Sequence, residues 1–133
     1  ELAGRVRVAF AEYEAETATP LSQNDVVQMF NLPNGARIVS GRLAHDALNS
    51  STQLSVGYAA HTNSAGSTVA LDADAYKAAA SSASASAANV ANTIALGENS
   101  IVDANKDGLP VSITLTGADA SGTIQLTMFY VLD

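Results

Sequence analysis

The sequence contains no cysteine and no tryptophan among its 133 residues, and only 14% of them are charged. Without cysteine there are no disulfides and no thiolate metal sites, and the redox compartment carries no mark. Six Lys and Arg stand against thirteen Asp and Glu, a net charge of −7. The few cations are scattered as Arg5, Arg7, Arg37, Arg42, Lys77 and Lys106. They cannot neutralise enough phosphates to hold nucleic acid by counterion release, and they offer an anionic membrane surface no basic patch. No apolar run approaches the ~20 residues of a membrane-spanning helix. The first residues lack the basic-then-apolar order of a signal peptide, so a soluble chain is expected. Aromatic residues make up only 5%, which leaves little material for stacking on sugars or bases.

Ala, Ser, Thr, Val and Asn fill the space left by charge. The hydrophobic fraction of 47% is ordinary, while the charged fraction falls well below the usual quarter. Such a surface suits a chain whose faces are covered by neighbours, because interface cores are depleted in charge. It also suits a free surface on which small polar residues replace Lys and Glu. The length is that of one domain, expected to span residues 1–133.

Strand patterns dominate. Over residues 5–14, Val6, Val8 and Phe10 alternate with Arg7, Ala9 and Ala11, the period of a half-buried strand. Residues 25–32 carry apolar side chains on both faces, as a strand covered on both sides would. Pro33-Asn34-Gly35 supplies a fixed φ and a positive φ for a tight turn, so residues 36–45 should return antiparallel to that strand. Residues 53–59 alternate again through Leu54, Val56 and Tyr58. Asp72-Ala73-Asp74 before Ala75-Tyr76-Lys77-Ala78-Ala79-Ala80 reads as a capped helix start, followed by a Ser/Ala loop, so residues 72–90 are expected to form a short helical insert. Residues 93–96 read as a short strand, and Ser100-Ile101-Val102 as another or a bend. Residues 111–116 and 123–132 read as a closing hairpin. Seven or eight short strands without βαβ alternation predict an all-β, mainly antiparallel, jelly-roll-like sandwich.

Few residues could carry chemistry. Asp103-Ala104-Asn105-Lys106-Asp107-Gly108 matches the first half of a calcium loop, in which alternate oxygens converge on the ion. Thr114 stands where the bidentate Glu belongs and Pro110 interrupts the loop. A turn between strands explains Asp103, Asn105 and Asp107 better, and no metal is expected. His45-Asp46 and His61 carry catalytic residue types, but neighbours on a strand point to opposite faces, and neither a nucleophile elbow nor an oxyanion site accompanies them. Glu12, Glu14 and Glu16 line one face of a strand; without aromatic platforms they read as a solvated end, able to meet Arg37 or Arg42 across an interface. The segment between Gly117 and Gly122 is followed by no helix and no Lys, which excludes a phosphate loop. No catalytic residue and no cofactor is expected.

Three passages together resemble a known group: Gly4-Arg5-Val6-Arg7-Val8-Ala9, the turn Leu32-Pro33-Asn34-Gly35-Ala36-Arg37-Ile38, and Ser112-Ile113-Thr114-Leu115-Thr116-Gly117 with Ser121-Gly122-Thr123-Ile124-Gln125-Leu126. In this order they resemble the small virion structural proteins of tailed bacteriophages, of the head-decoration or cement type. Leu54-Ser55-Val56-Gly57-Tyr58 and Asp72-Ala73-Asp74-Ala75-Tyr76 fit the same layout, while the Ala/Ser tract over residues 78–91 is longer than it requires. The resemblance implies a β-sandwich, no enzymatic activity, and a place on the capsid surface, with the major capsid protein and further copies of this chain as partners. An alternative is a tail- or fibre-associated module that binds a host receptor or glycan through residues 46–51 and 61–68. A small hydrolase using His45 or His61 is the enzymatic reading.

Overall fold

The computed structural model of the chain describes residues 5–132; Gly4, the first residue of the opening motif, lies outside them. Ten strands run in chain order: β1 (Val6–Ala15), β2 (Val26–Leu32), β3 (Arg37–His45), β4 (Gln53–Tyr58), β5 (His61–Thr62), β6 (Thr68–Val69), β7 (Asp72–Ser81), β8 (Ser86–Val90), β9 (Leu109–Thr116) and β10 (Gly122–Val131). Two four-stranded sheets form, ordered β1-β10-β3-β8 and β2-β9-β4-β7, and β5 with β6 makes a small ribbon. All of the pairings are antiparallel. From β1 to β4 each strand lies in the opposite sheet from the one before, β7 stays beside β4, and the alternation resumes through β10. This is the eight-stranded jelly roll, so the predicted all-β sandwich is what the chain forms.

The core is a single cluster drawn from both sheets. Ile38, Leu43, Ile124, Leu126 and Met128 come from one, and Leu54, Val56, Val111, Ile113 and Leu115 from the other; each is at most 1% exposed. Strand β9 is buried from Leu109 to Leu115, and it is a central strand with β2 and β4 on its two edges.

Two expected hairpins are instead crossings between sheets. The turn at Pro33 closes as foreseen, with the Ala36 amide donating to the Pro33 carbonyl at 3.2 Å and Gly35 at φ 86°. However, β2 pairs with β9, and β3 with β10 and β8. The closing pair β9 and β10 is split in the same way. Period-2 alternation reports which face of a strand is buried but not which neighbour it bonds. Strand β2 proves to be a sheet edge, with Val26 exposed, rather than a strand covered on both sides.

Residues 72–90 are not a helical insert; they form β7 and β8. Strand β4 is buried from Leu54 to Gly57, and its backbone needs a ladder partner on the side away from β9. β7 supplies that partner, and this tertiary demand outweighs the helix propensity of alanine. Gly57 permits the approach, since a Cβ there would lie 1.9 Å from the Asp72 carbonyl oxygen. Residues 93–96 are likewise not a strand: Ile94–Leu96 form a 3-10 turn, capped by the Thr93 side chain, which accepts from the Leu96 amide at 3.2 Å. Ile101 makes one bridge to Arg37.

In β1 the alternation is real but faces the other way. Val6, Val8 and Phe10 are 61, 56 and 57% exposed, while Ala9, Ala11 and Tyr13 are half-buried and Ala15 is buried. The small face packs inward, and the large apolar one is left to solvent on an edge strand paired only with β10.

Candidate functional site

A cleft of about 650 Å³ lies at one end of the sandwich. Its floor comes from Tyr58 at the end of β4 and Tyr76 in β7, its sides from His61 in β5 and Asp72 and Asp74 in β7, and its far wall from the long β8–β9 connection, including Ile94, Ile101 and Asp103. The β4–β7 ladder opposes Tyr58 to Asp72, and its shifted register is the reason two tyrosines converge. Their ring centroids are 6.1 Å apart, and the His61 ring stands edge-on to Tyr58 at 5.2 Å. Gly97, in the left-handed region at φ 87°, lets the connection lie against the Tyr76 ring, where a Cβ would be 2.8 Å from a ring carbon.

The electrostatics follow from burial. Tyr76 is 6% exposed, and burial raises its phenol pKa well above the ordinary value, with Tyr58 and Asp72 adding to the effect. Burial, then the negative charge of Asp72, raises Tyr58. Asp72 is itself raised, first by burial and then by sharing a hydrogen bond with Asp74. Asp103 moves the other way: its carboxylate accepts from the Ser64 amide at 3.0 Å and the Ser64 hydroxyl at 2.6 Å, and those bonds hold its pKa low. Three carboxylates thus reach the cleft, and no Lys or Arg is among its described lining residues.

The residues singled out in the sequence are placed as follows. In the 103–108 loop, Asp103 is engaged by Ser64, the Asn105 side chain accepts from the Asp107 amide at 3.0 Å, and Asp107 pairs with Lys106 at 3.2 Å on the surface. Asn105 and Asp107 serve the local turn, while Asp103 ties the loop to the β5–β6 connection. Among the described residues no three acidic or His side chains are grouped as metal ligands. His45 and Asp46 do not act on each other through their side chains: the His45 ring contacts the Asp46 backbone carbonyl at 2.8 Å, and the Asp46 carboxylate accepts from the Thr123 amide at 3.1 Å. His61 contacts the Ala59 carbonyl at 2.9 Å and belongs to the cleft. Glu12, Glu14 and Glu16 are exposed at the end of β1, where Glu12 accepts from Gln125 at 2.6 Å. Sequence reasoning missed the pairing of Tyr58 with Tyr76. A mistaken helix over residues 75–80 hid it, since only the strand brings Tyr76 beside β4.

Among the described residues no helix is long and apolar enough to cross a membrane. No family model and no curated protein matches the sequence. Solved structures share its fold. All of the chain superposes on 89% of a chain in the cyanophage Pam1 capsid asymmetric unit, at a TM-score of 0.70 and 22% identity. All of it also superposes on 88% of a chain in the capsid of Ralstonia phage GP4, at 0.75 and 19%. In the acid-stable capsid of Helicobacter pylori bacteriophage KHP30 the match covers 96% of this chain and 87% of that one, at 0.60 and 20%. At these identities the likeness is one of fold, and it extends along nearly the whole length on both sides.

Proposed function

We propose that this chain is a non-enzymatic virion protein that decorates and cements a phage capsid. The observation that carries this reading is the exposed apolar stripe of Val6, Val8 and Phe10 along an unpaired sheet edge. A ten-residue strand with free backbone groups and large apolar side chains is a template for another chain, and free monomers blunt such edges. The opposite rim of the sandwich exposes the uncharged Ala78, Ala79, Ala80, Ser86 and Ala87 of β7 and β8 as well. Charge-poor edges of this kind bury well against neighbouring subunits. The full-length match of this jelly roll to chains within three phage capsid structures supports the same reading, and partners of the kind it favours are the major capsid protein and further copies of this chain.

The test is co-sedimentation of the purified chain with heads stripped of accessory proteins. Saturable binding at a fixed number of copies per capsid subunit, with heads that survive heating better, is expected. Absence of binding to heads, with binding to tails or to host-surface glycans, would replace the decoration reading.

A further inference from the structure

The cleft beneath residues 94–103 has a composition that the sandwich does not need for its own stability. Asp72, Asp74 and Asp103 line it, and among the described residues no Lys or Arg does. The Asp72 carboxylate accepts from the Asp74 backbone amide at 3.4 Å, and among the described residues neither carboxylate meets a Lys or Arg. Tyr76, 6% exposed, lines the cavity with its ring 6.1 Å from that of Tyr58. Tyr58 and His61 add aromatic surface beside the carboxylates. At the wall stand Ile94 and Ile101, 86 and 56% exposed, two of the most water-exposed large apolar side chains described. An anion would be repelled by the carboxylates. A polyhydroxylated sugar would leave the isoleucines uncovered. A cation held among carboxylates and aromatic rings gains charge-assisted hydrogen bonds and cation–π attraction together.

We propose that this cleft is a socket for a basic side chain of a partner protein. An Arg or Lys on an extended segment enters between Tyr58, Asp72 and Asp74, and the apolar residues flanking it pack on Ile94 and Ile101. The proposal rests on the reading that this chain docks onto other protein chains, and it supplies the chemistry of one such contact. Tyr76, which lines the same cavity, offers its phenol oxygen as an acceptor to the incoming guanidinium or ammonium.

The experiment uses the full chain and the probe peptide acetyl-Leu-Arg-Leu-amide, followed by NMR on the ring signals of Tyr58, Tyr76 and His61. Saturable shifts of these signals at millimolar peptide are expected. The citrulline peptide, which keeps the shape and loses the charge, should bind at least about tenfold more weakly, and added salt should weaken the Arg peptide. The double variant Asp72→Asn, Asp74→Asn should lose about tenfold in affinity. If that variant does not fold, Ile94→Ser, at a position 86% exposed, should weaken binding several-fold without changing the fold. Unmoved ring signals, equal binding of the two peptides, an unaffected Ile94→Ser variant, or a neutral oligosaccharide shifting the same signals while the peptide does not, would each overturn the socket. Loss of the socket with head binding intact would leave the decoration reading standing.

Discussion

Ser112 and Thr114 each bury a hydroxyl that meets no hydrogen-bond partner among the described residues. Both sit on β9, opposite Gly57 and Ser55 of β4, in a row of small side chains. A buried donor left unpaired costs about 1–3 kcal/mol of desolvation. Thr114→Val keeps the shape and removes the orphan, so it should raise stability by about 1 kcal/mol, read as a higher denaturant midpoint at unchanged slope. A lower midpoint would mean the hydroxyl has a partner. The Thr52 hydroxyl is the contrasting case: buried, it lies 2.7 Å from the Ser82 hydroxyl and bonds the Asn49 carbonyl at 2.8 Å. Thr52→Val should therefore destabilise by about 1–3 kcal/mol in the same titration.

At the same scale, Asp72 ties stability to pH. Its folded pKa is raised, so the folded state binds the proton more tightly than the unfolded one. Its contribution is favourable below the ordinary carboxylate pKa and is lost as pH rises through the folded value. Asp72→Asn should consequently be more stable than the parent at neutral pH, with the gap closing on acidification; thermal unfolding across the carboxylate range reads this directly. Asp103 has the opposite sign. The Ser64 bonds depress its pKa, so its contribution is present above the ordinary value and fades as pH falls through the depressed one.

Among the elements, β9 and β10 contribute more buried core residues than any other strand. Ile113, Leu115 and Leu126 are at most 1% exposed, and truncation of any one to Ala should cost about 2–5 kcal/mol; a change within titration error would mean the core lies elsewhere. The 103–108 segment behaves as a turn whose side chains are already engaged, and the melting temperature should be the same in millimolar calcium and in chelator. β1 and the Ala-rich β7 show why element identity is only partly legible in a sequence. The period of β1 is plain in Val6, Val8 and Phe10, yet those large residues face outward because Ala9 and Ala15 suit the close packing beneath them. In β7, residues 75–80 satisfy every local rule for a helix and still form a strand, since β4 would otherwise lack a ladder partner.

For the whole molecule, the exposed edge stripe makes a prediction that the core does not. Replacing Val8 and Phe10 by Ser and Thr should leave the melting temperature within a few degrees, since both are more than half exposed, and should reduce copies bound per head in co-sedimentation. Unchanged occupancy would move the contact to the β7–β8 rim or the cleft.

The amino-acid sequence by itself determined the composition limits, the all-β class, most strand positions, and the apolar residues of β9 and β10. These follow from local periodicity and from turn residues such as Pro33 and Gly35, which act over a few positions. Only the tertiary structure decided which sheet each strand joins, that β2 and β3, and β9 and β10, cross rather than pair, and that residues 72–90 are strands. Partner choice depends on backbone groups and faces far apart in the chain, and no local pattern records it. The cleft falls in the same class, because Tyr58, Tyr76 and Ile94 meet only after β7 has been laid against β4 and the β8–β9 connection has folded over both.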